Sequence, residues 1–85
     1  MSCFYVYVLR SIKFERNYVG FTKDINIRLK QHNSGKTKST KPYKPWRVLF
    51  FETYSTKIEA INREKFLKTG KGRTYIKEYL ASWRN

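Results

Sequence analysis

The chain opens on an unbroken apolar run, Phe4-Tyr5-Val6-Tyr7-Val8-Leu9, made of aromatic and branched side chains. With no polar alternation, such a run predicts a strand covered on both faces and therefore central in its sheet. Polar residues from Ser11 to Asn17 lead to a second short run, Tyr18-Val19-Gly20-Phe21. That connection is short enough for an antiparallel hairpin. Thr22 or Asp24 is placed to cap a helix reaching about Asn33, where Asn33-Ser34-Gly35 gives a stop signal. Apolar periodicity then disappears from Gly35 to Pro45, a stretch of Lys, Ser, Thr and Pro that reads as a loop. A third strand is predicted at about Arg47 to Tyr54. Ser55 or Thr56 caps a second helix ending near Thr69-Gly70, and Gly70-Lys71-Gly72 is expected to break the chain. The last helix runs from about Arg73 to Trp83, with Tyr75, Ile76, Tyr79, Leu80 and Trp83 on one stripe. The order β-β-α-β-α-α predicts an α/β fold of the α+β kind, a small, mostly antiparallel three-stranded sheet flanked by helices.

Composition narrows the partners. Eighty-five residues suit a single domain spanning 1–85. A hydrophobic content of 40% with 18% aromatics supplies a core and argues against disorder. The charge is lopsided, with 19 Lys and Arg against 6 Asp and Glu. Such self-repulsion favours a polyanionic partner, nucleic acid first, with an anionic membrane surface or a generic basic protein as alternatives. Lys36, Lys38, Lys41 and Lys44 in the loop, with Lys68, Lys71 and Arg73 after the second helix, are the candidate phosphate contacts. Tyr43 and Trp46 beside that loop are candidates to stack on an unpaired base, although Trp46 at a strand start also suits packing. Cys3 is the lone cysteine, which excludes an internal disulfide framework and a cysteine-rich zinc site and suits core filler. The apolar stretch from Cys3 to Leu9 is too short for a membrane span, so a cytoplasmic, bacterial-type location is expected.

Three residues break the binary pattern. Ile25 and Leu29 mark the buried face of the first helix, and Arg28 and His32 fall beside it at three- and four-residue spacing. Glu64 lies four residues after Ala60 and three before Leu67, among the inward positions of the second helix. A carboxylate so placed must be paired, neutralised or bound to a metal. Each has a structural reading as well. Arg28 suits a snorkelling surface cation, His32 a cation at a helix C-terminus, and Glu64 an ion pair with Lys68.

The ordered set resembles a known signature. Tyr5-Val6-Tyr7 and Tyr18-Val19-Gly20 resemble the paired triplets of the GIY-YIG nuclease superfamily, with Tyr5 in place of the first Gly and Val19 in place of Ile. The family places an Arg on the first helix, an aromatic or His four residues on, and a Glu on the helix after the third strand. Arg28, His32 and Glu64 match in turn, and the resemblance runs from about Phe4 to Leu80. It is nearest to small single-domain bacterial members similar to the N-terminal nuclease module of the excision-repair endonuclease. Arg63-Glu64-Lys65-Phe66-Leu67-Lys68 and the following Gly-Lys-Gly-Arg also fit that subgroup. The repair module's Lys after the second triplet is Phe21 here, with Lys23 the nearest substitute, and its late Asn has no match.

The resemblance implies an endonuclease that hydrolyses phosphodiesters, DNA more readily than RNA, with a single Mg²⁺ or Mn²⁺. Glu64 would hold the metal, whose preferred ligands are hard oxygens. Arg28 would brace the phosphate. One of Tyr7 and Tyr18 would act as base, Tyr18 being favoured, with its pKa drawn down by nearby cations. His32 would orient the phosphate or assist proton transfer. Cutting is expected to be structure-selective or directed by a recruiting protein. The alternative is a non-catalytic nucleic-acid-binding module that keeps the fold.

Overall fold

The computed structural model describes residues 3 to 83. Its centre is β1 (Phe4–Ser11), flanked by β2 (Asn17–Thr22) and β3 (Trp46–Tyr54), both antiparallel to it. The continuous apolar run thus occupies the middle strand, and Val6, Tyr7, Val8 and Leu9 are all buried. Side chains alternate between the two faces of a strand. Val6 and Val8 accordingly pack with Val19, Leu49, Ala60, Leu67 and Ile76, beneath α2 (Lys57–Leu67) and α3 (Gly70–Trp83). Tyr7 and Leu9 face the other way and join Trp46, Tyr18, Leu29 and Tyr43 on the side carrying α1 (Ile25–Asn33). The register shift between Val8 and Leu9 opposite β3 lets the consecutive residues Leu49 and Phe50 both pack into the first core.

Local chemistry sets the helix starts. Asp24 caps α1, its Oδ1 accepting the Ile27 N–H at 3.0 Å. Thr22 instead accepts the Asp24 N–H. Thr56 caps α2 as half of a capping box: it accepts the Glu59 N–H at 3.3 Å and donates its hydroxyl to Glu59 Oε1 at 2.8 Å. The loop from Gly35 to Pro45 carries one turn of 3₁₀ helix at Lys41–Tyr43.

Gly70-Lys71-Gly72 does not break the chain. It forms the first turn of α3, and the interruption lies earlier, at Lys68-Thr69. The Thr69 hydroxyl accepts the Gly72 N–H at 3.2 Å, acting as a cap one residue before the first glycine. Gly72 is glycine for want of space, because a Cβ there would run into the Phe66 carbonyl and the Leu67 backbone. The glycine permits a tight helix-to-helix corner rather than ending a helix. The Trp83 side chain, placed on the apolar stripe by periodicity, lies outside the described residues. Among the described residues no helix is long and apolar enough to cross a membrane.

Candidate active site

Tyr7 stands opposite Gly20 in the β1–β2 pairing, and its hydroxyl leans over that glycine. A Cβ at Gly20 would lie 2.6 Å from the Tyr7 oxygen and 3.1 Å from the Tyr18 ring. The absent side chain is therefore what lets the phenol settle there. Tyr18 is on the same face, with ring centroids 6.2 Å from Tyr7 and 4.7 Å from His32. The two tyrosines differ in access: Tyr7 is 1% exposed, whereas Tyr18 is half-buried and lines an open groove.

From α1, Arg28 donates Nε–H to the Tyr7 oxygen at 3.3 Å and Nη1–H to Gln31 Oε1 at 2.8 Å. Hydrogen bonding to Tyr7, and secondarily the nearby Tyr18, holds the guanidinium above its ordinary pKa. Tyr7 itself moves upward. Burial is the largest cause and outweighs the Arg28 hydrogen bond, with the Glu64 charge as a lesser contribution in the same direction. The expectation that nearby cations would draw the phenol down is met only in part: Arg28 pulls that way, but desolvation wins for Tyr7.

His32 is fully buried, with Nε2 3.1 Å from the Tyr7 oxygen and Nδ1 2.8 Å from Thr40 Oγ1. Thr40 donates its hydroxyl to the Thr37 carbonyl at 3.3 Å. That network assigns the proton to Nδ1, which donates to Thr40, and leaves Nε2 to accept the Tyr7 O–H. Burial and the adjacent Arg28 push the His32 pKa down to about 4. The reading of His32 as a helix-terminal cation is therefore corrected. It is a neutral ring that holds Tyr7, and Thr40 in turn holds it.

A pH dependence follows. The unfolded imidazole titrates near 6.5, so between about pH 6.5 and 4 the unfolded chain binds more protons than the folded one. Stability from keeping His32 neutral is complete above that window and declines as pH falls through it, by about 3 kcal/mol in all. His32 is the chain's single histidine, so its ring resonances can be assigned without ambiguity in an NMR titration. The expected midpoint is near 4. A midpoint near 6.5 would contradict a buried, hydrogen-bonded ring.

Glu64 comes from α2, which contacts both β1 and β2. Its side chain is 18% exposed, with Oε2 3.4 Å from Lys68 Nζ. The ion pair predicted by spacing is therefore present, though long. Among the described residues no group of three or more His, Cys, Asp or Glu gathers to form a metal cage. A lone carboxylate does not suit zinc, which takes three or four protein ligands. It does suit Mg²⁺ or Mn²⁺, which keep several waters and complete their shell with substrate phosphate.

The basic residues fall into separate groups. Lys68 and Arg73 line the same groove as Tyr18. Lys71 is exposed in the first turn of α3. Lys36, Lys38, Lys41 and Lys44 are exposed on the loop that carries Thr40. Lys23, exposed at the end of β2, lies over the Phe4 ring at 5.4 Å. Trp46 is not available for stacking. It is 3% exposed, and its ring N–H is donated to the Thr40 carbonyl at 2.9 Å. Thr40 gave no signal in the sequence, being one hydroxyl in a polar loop. Nor did Asn33, read as a stop signal, whose side chain accepts the Trp46 N–H at 2.5 Å and donates to its carbonyl at 3.0 Å.

Paired tyrosines on adjacent antiparallel strands, an arginine over them and a carboxylate from the next helix define a nuclease-type α+β domain. The family model described as the GIY-YIG catalytic domain matches residues 3–79, and the chain belongs to that family. It is 47% identical over 53 residues to a UPF0213 protein of Staphylococcus epidermidis and 43% identical over 53 residues to one of Staphylococcus aureus. Each match covers 61% of this chain and 65% of the relative's length. The solution NMR structure of a UPF0213 protein from Bacillus halodurans is similar at TM-score 0.55 and 30% identity. That similarity covers 89% of this chain and 83% of the other.

Proposed function

We propose that this chain is a divalent-metal-dependent endonuclease that hydrolyses DNA phosphodiester bonds, with residues 1–85 acting as one catalytic unit. The observation that carries the reading is Arg28 held against Tyr7, with the half-buried Tyr18 beside them. An arginine fork has five N–H donors, so donors remain for a phosphate beyond those engaged by the protein.

Roles follow from access. Tyr18, the less buried of the two tyrosines, serves as the base that removes the proton of the attacking water, with Arg28 beside it to balance negative charge. Tyr7, buried and giving its O–H to His32, orients Arg28 rather than meeting the water. Arg28 donates to the phosphoryl oxygens as their charge grows. Glu64 is the residue that would hold Mg²⁺ or Mn²⁺, and a metal bound there supplies Lewis-acid relief of charge on the phosphate and leaving oxygen. Lys23, Lys36, Lys38, Lys41, Lys44, Lys68, Lys71 and Arg73 supply sequence-independent contacts to the backbone. A surface of this size reads little sequence, which fits structure-selective or partner-directed cutting in the cytoplasm. The test is incubation with nicked, branched and single-stranded DNA in Mg²⁺ or Mn²⁺. Cleavage abolished by a chelator is expected on at least one substrate. Binding without cleavage on any of them would leave only the nucleic-acid-binding module.

A further inference from the structure

The open groove at Tyr18 extends past the tyrosine to residues of α3 that the chemistry does not use. It has a volume of about 910 Å³ and runs between the β1–β2 edge and α3. Arg10 and Arg16 line it from the strand side, and Lys68, Arg73 and Lys77 from the helix side, against Glu15 as the one carboxylate among its lining residues. Lys77 and Arg10 were not among the sequence's candidates.

We propose that this groove holds the backbone of one DNA strand as it leaves the cleavage site, with Arg10, Arg73 and Lys77 as its phosphate contacts. The inference rests on the nuclease reading for its occupant and extends it by giving the strand a path. Three observations support it. First, the groove borders the site. Tyr18 is one of its walls, and Lys68, another, is paired with Glu64. Second, its lining carries five cations against one carboxylate. Arg73 and Lys77 are four residues apart on α3, an arrangement of like charges that destabilises an isolated helix. Glu78 follows Lys77 by one position and so points about 100° away around the helix. Three of the six acidic residues are engaged away from the groove, Asp24 and Glu59 at helix caps and Glu52 with Arg63, while Glu64 pairs with Lys68 on its wall. Third, Arg10 is already oriented, its Nη1–H donated to Asn17 Oδ1 at 3.1 Å across the β1–β2 pairing. A polyanion relieves this repulsion on binding.

The test compares two charge-reversed pairs with equal change in net charge. The groove pair is Arg10→Glu with Lys77→Glu. The control pair is Lys30→Glu with Lys57→Glu, both exposed and outside the groove. Affinity for a duplex with a single-stranded tail is measured by fluorescence anisotropy over a range of salt. The groove pair is expected to weaken binding at least ~10-fold and to flatten the salt slope by about 1.4–1.8, the release of counterions from two contacts. The control pair should change affinity by less than about threefold, with the slope kept. Equal losses in both pairs would reduce the effect to bulk charge and overturn the groove. Arg73→Glu guards against a folding artefact, since it sets a carboxylate four residues before Lys77 in the favourable orientation. It should bind DNA more weakly yet melt no lower than wild type, and a lower melting point without weaker binding would count against the proposal. The outcomes also separate the two readings. Strong wild-type binding lost in the groove pair, without cleavage, would keep the groove and remove the nuclease. Cleavage with no difference between the pairs would do the reverse, and no wild-type binding would remove both.

Discussion

Arg28→Ala is expected to slow single-turnover DNA cleavage by about 10²- to 10³-fold, the usual result of removing one donor aimed at developing charge. Arg28 is half-buried between α1 and the sheet, pinned through Nε to Tyr7 and through Nη1 to Gln31. Those two bonds fix the plane of the guanidinium before substrate arrives, so little reorganisation is left for the transition state. The loss should therefore appear in the rate of the bound complex more than in DNA affinity, since backbone contacts are spread over many lysines. Arg28→Lys should recover little, because an ammonium cannot hold Tyr7 and offer a planar fork to phosphate together. Folding should survive, as Tyr7 keeps its bond to His32 at 3.1 Å. A loss of under tenfold would show that Arg28 is a structural clamp and not part of the chemistry.

The part of this molecule that was legible in sequence is the part set by periodicity. The unbroken run at Phe4 to Leu9 had to be a central strand, and the helices followed from caps and apolar spacing. Glu64, Arg28 and His32 stood out because they interrupt those periods. What was illegible depends on contacts distant in sequence. Gly70-Lys71-Gly72 looks like a break, since two close glycines weaken a helix. The Thr69 cap and the close approach of Gly72 to the end of α2 make it a helix start. For His32 the sequence leaves two readings, a site residue beside the apolar stripe and a helix-terminal cation. Only the fold shows it sealed under Tyr7 and Thr40, eight residues on in a loop with no pattern. The tyrosine triplets carried the family likeness, but their unequal exposure comes from the strand order, which puts Tyr7 on the central strand and Tyr18 on an edge.

The proposed chemistry turns on Glu64 as the single carboxylate that brings a divalent metal to the phosphate. Its side chain is largely buried and its partner is a long contact to the exposed Lys68, so it is poised to exchange that ammonium for a metal. Glu64→Gln keeps the shape and removes the anionic ligand. The direct measurement is cleavage of branched and nicked DNA by wild type and Glu64→Gln across a titration of Mg²⁺ or Mn²⁺, with DNA affinity measured on the same preparations. Wild-type cleavage is expected to rise with metal and saturate. The variant is expected to lose about 10²- to 10³-fold in rate, the scale of removing a principal electrostatic stabiliser, with DNA affinity equal or higher once the negative charge is gone. Glu64→Gln cleaving within about tenfold of wild type, with the same metal dependence, would contradict metal recruitment by this carboxylate.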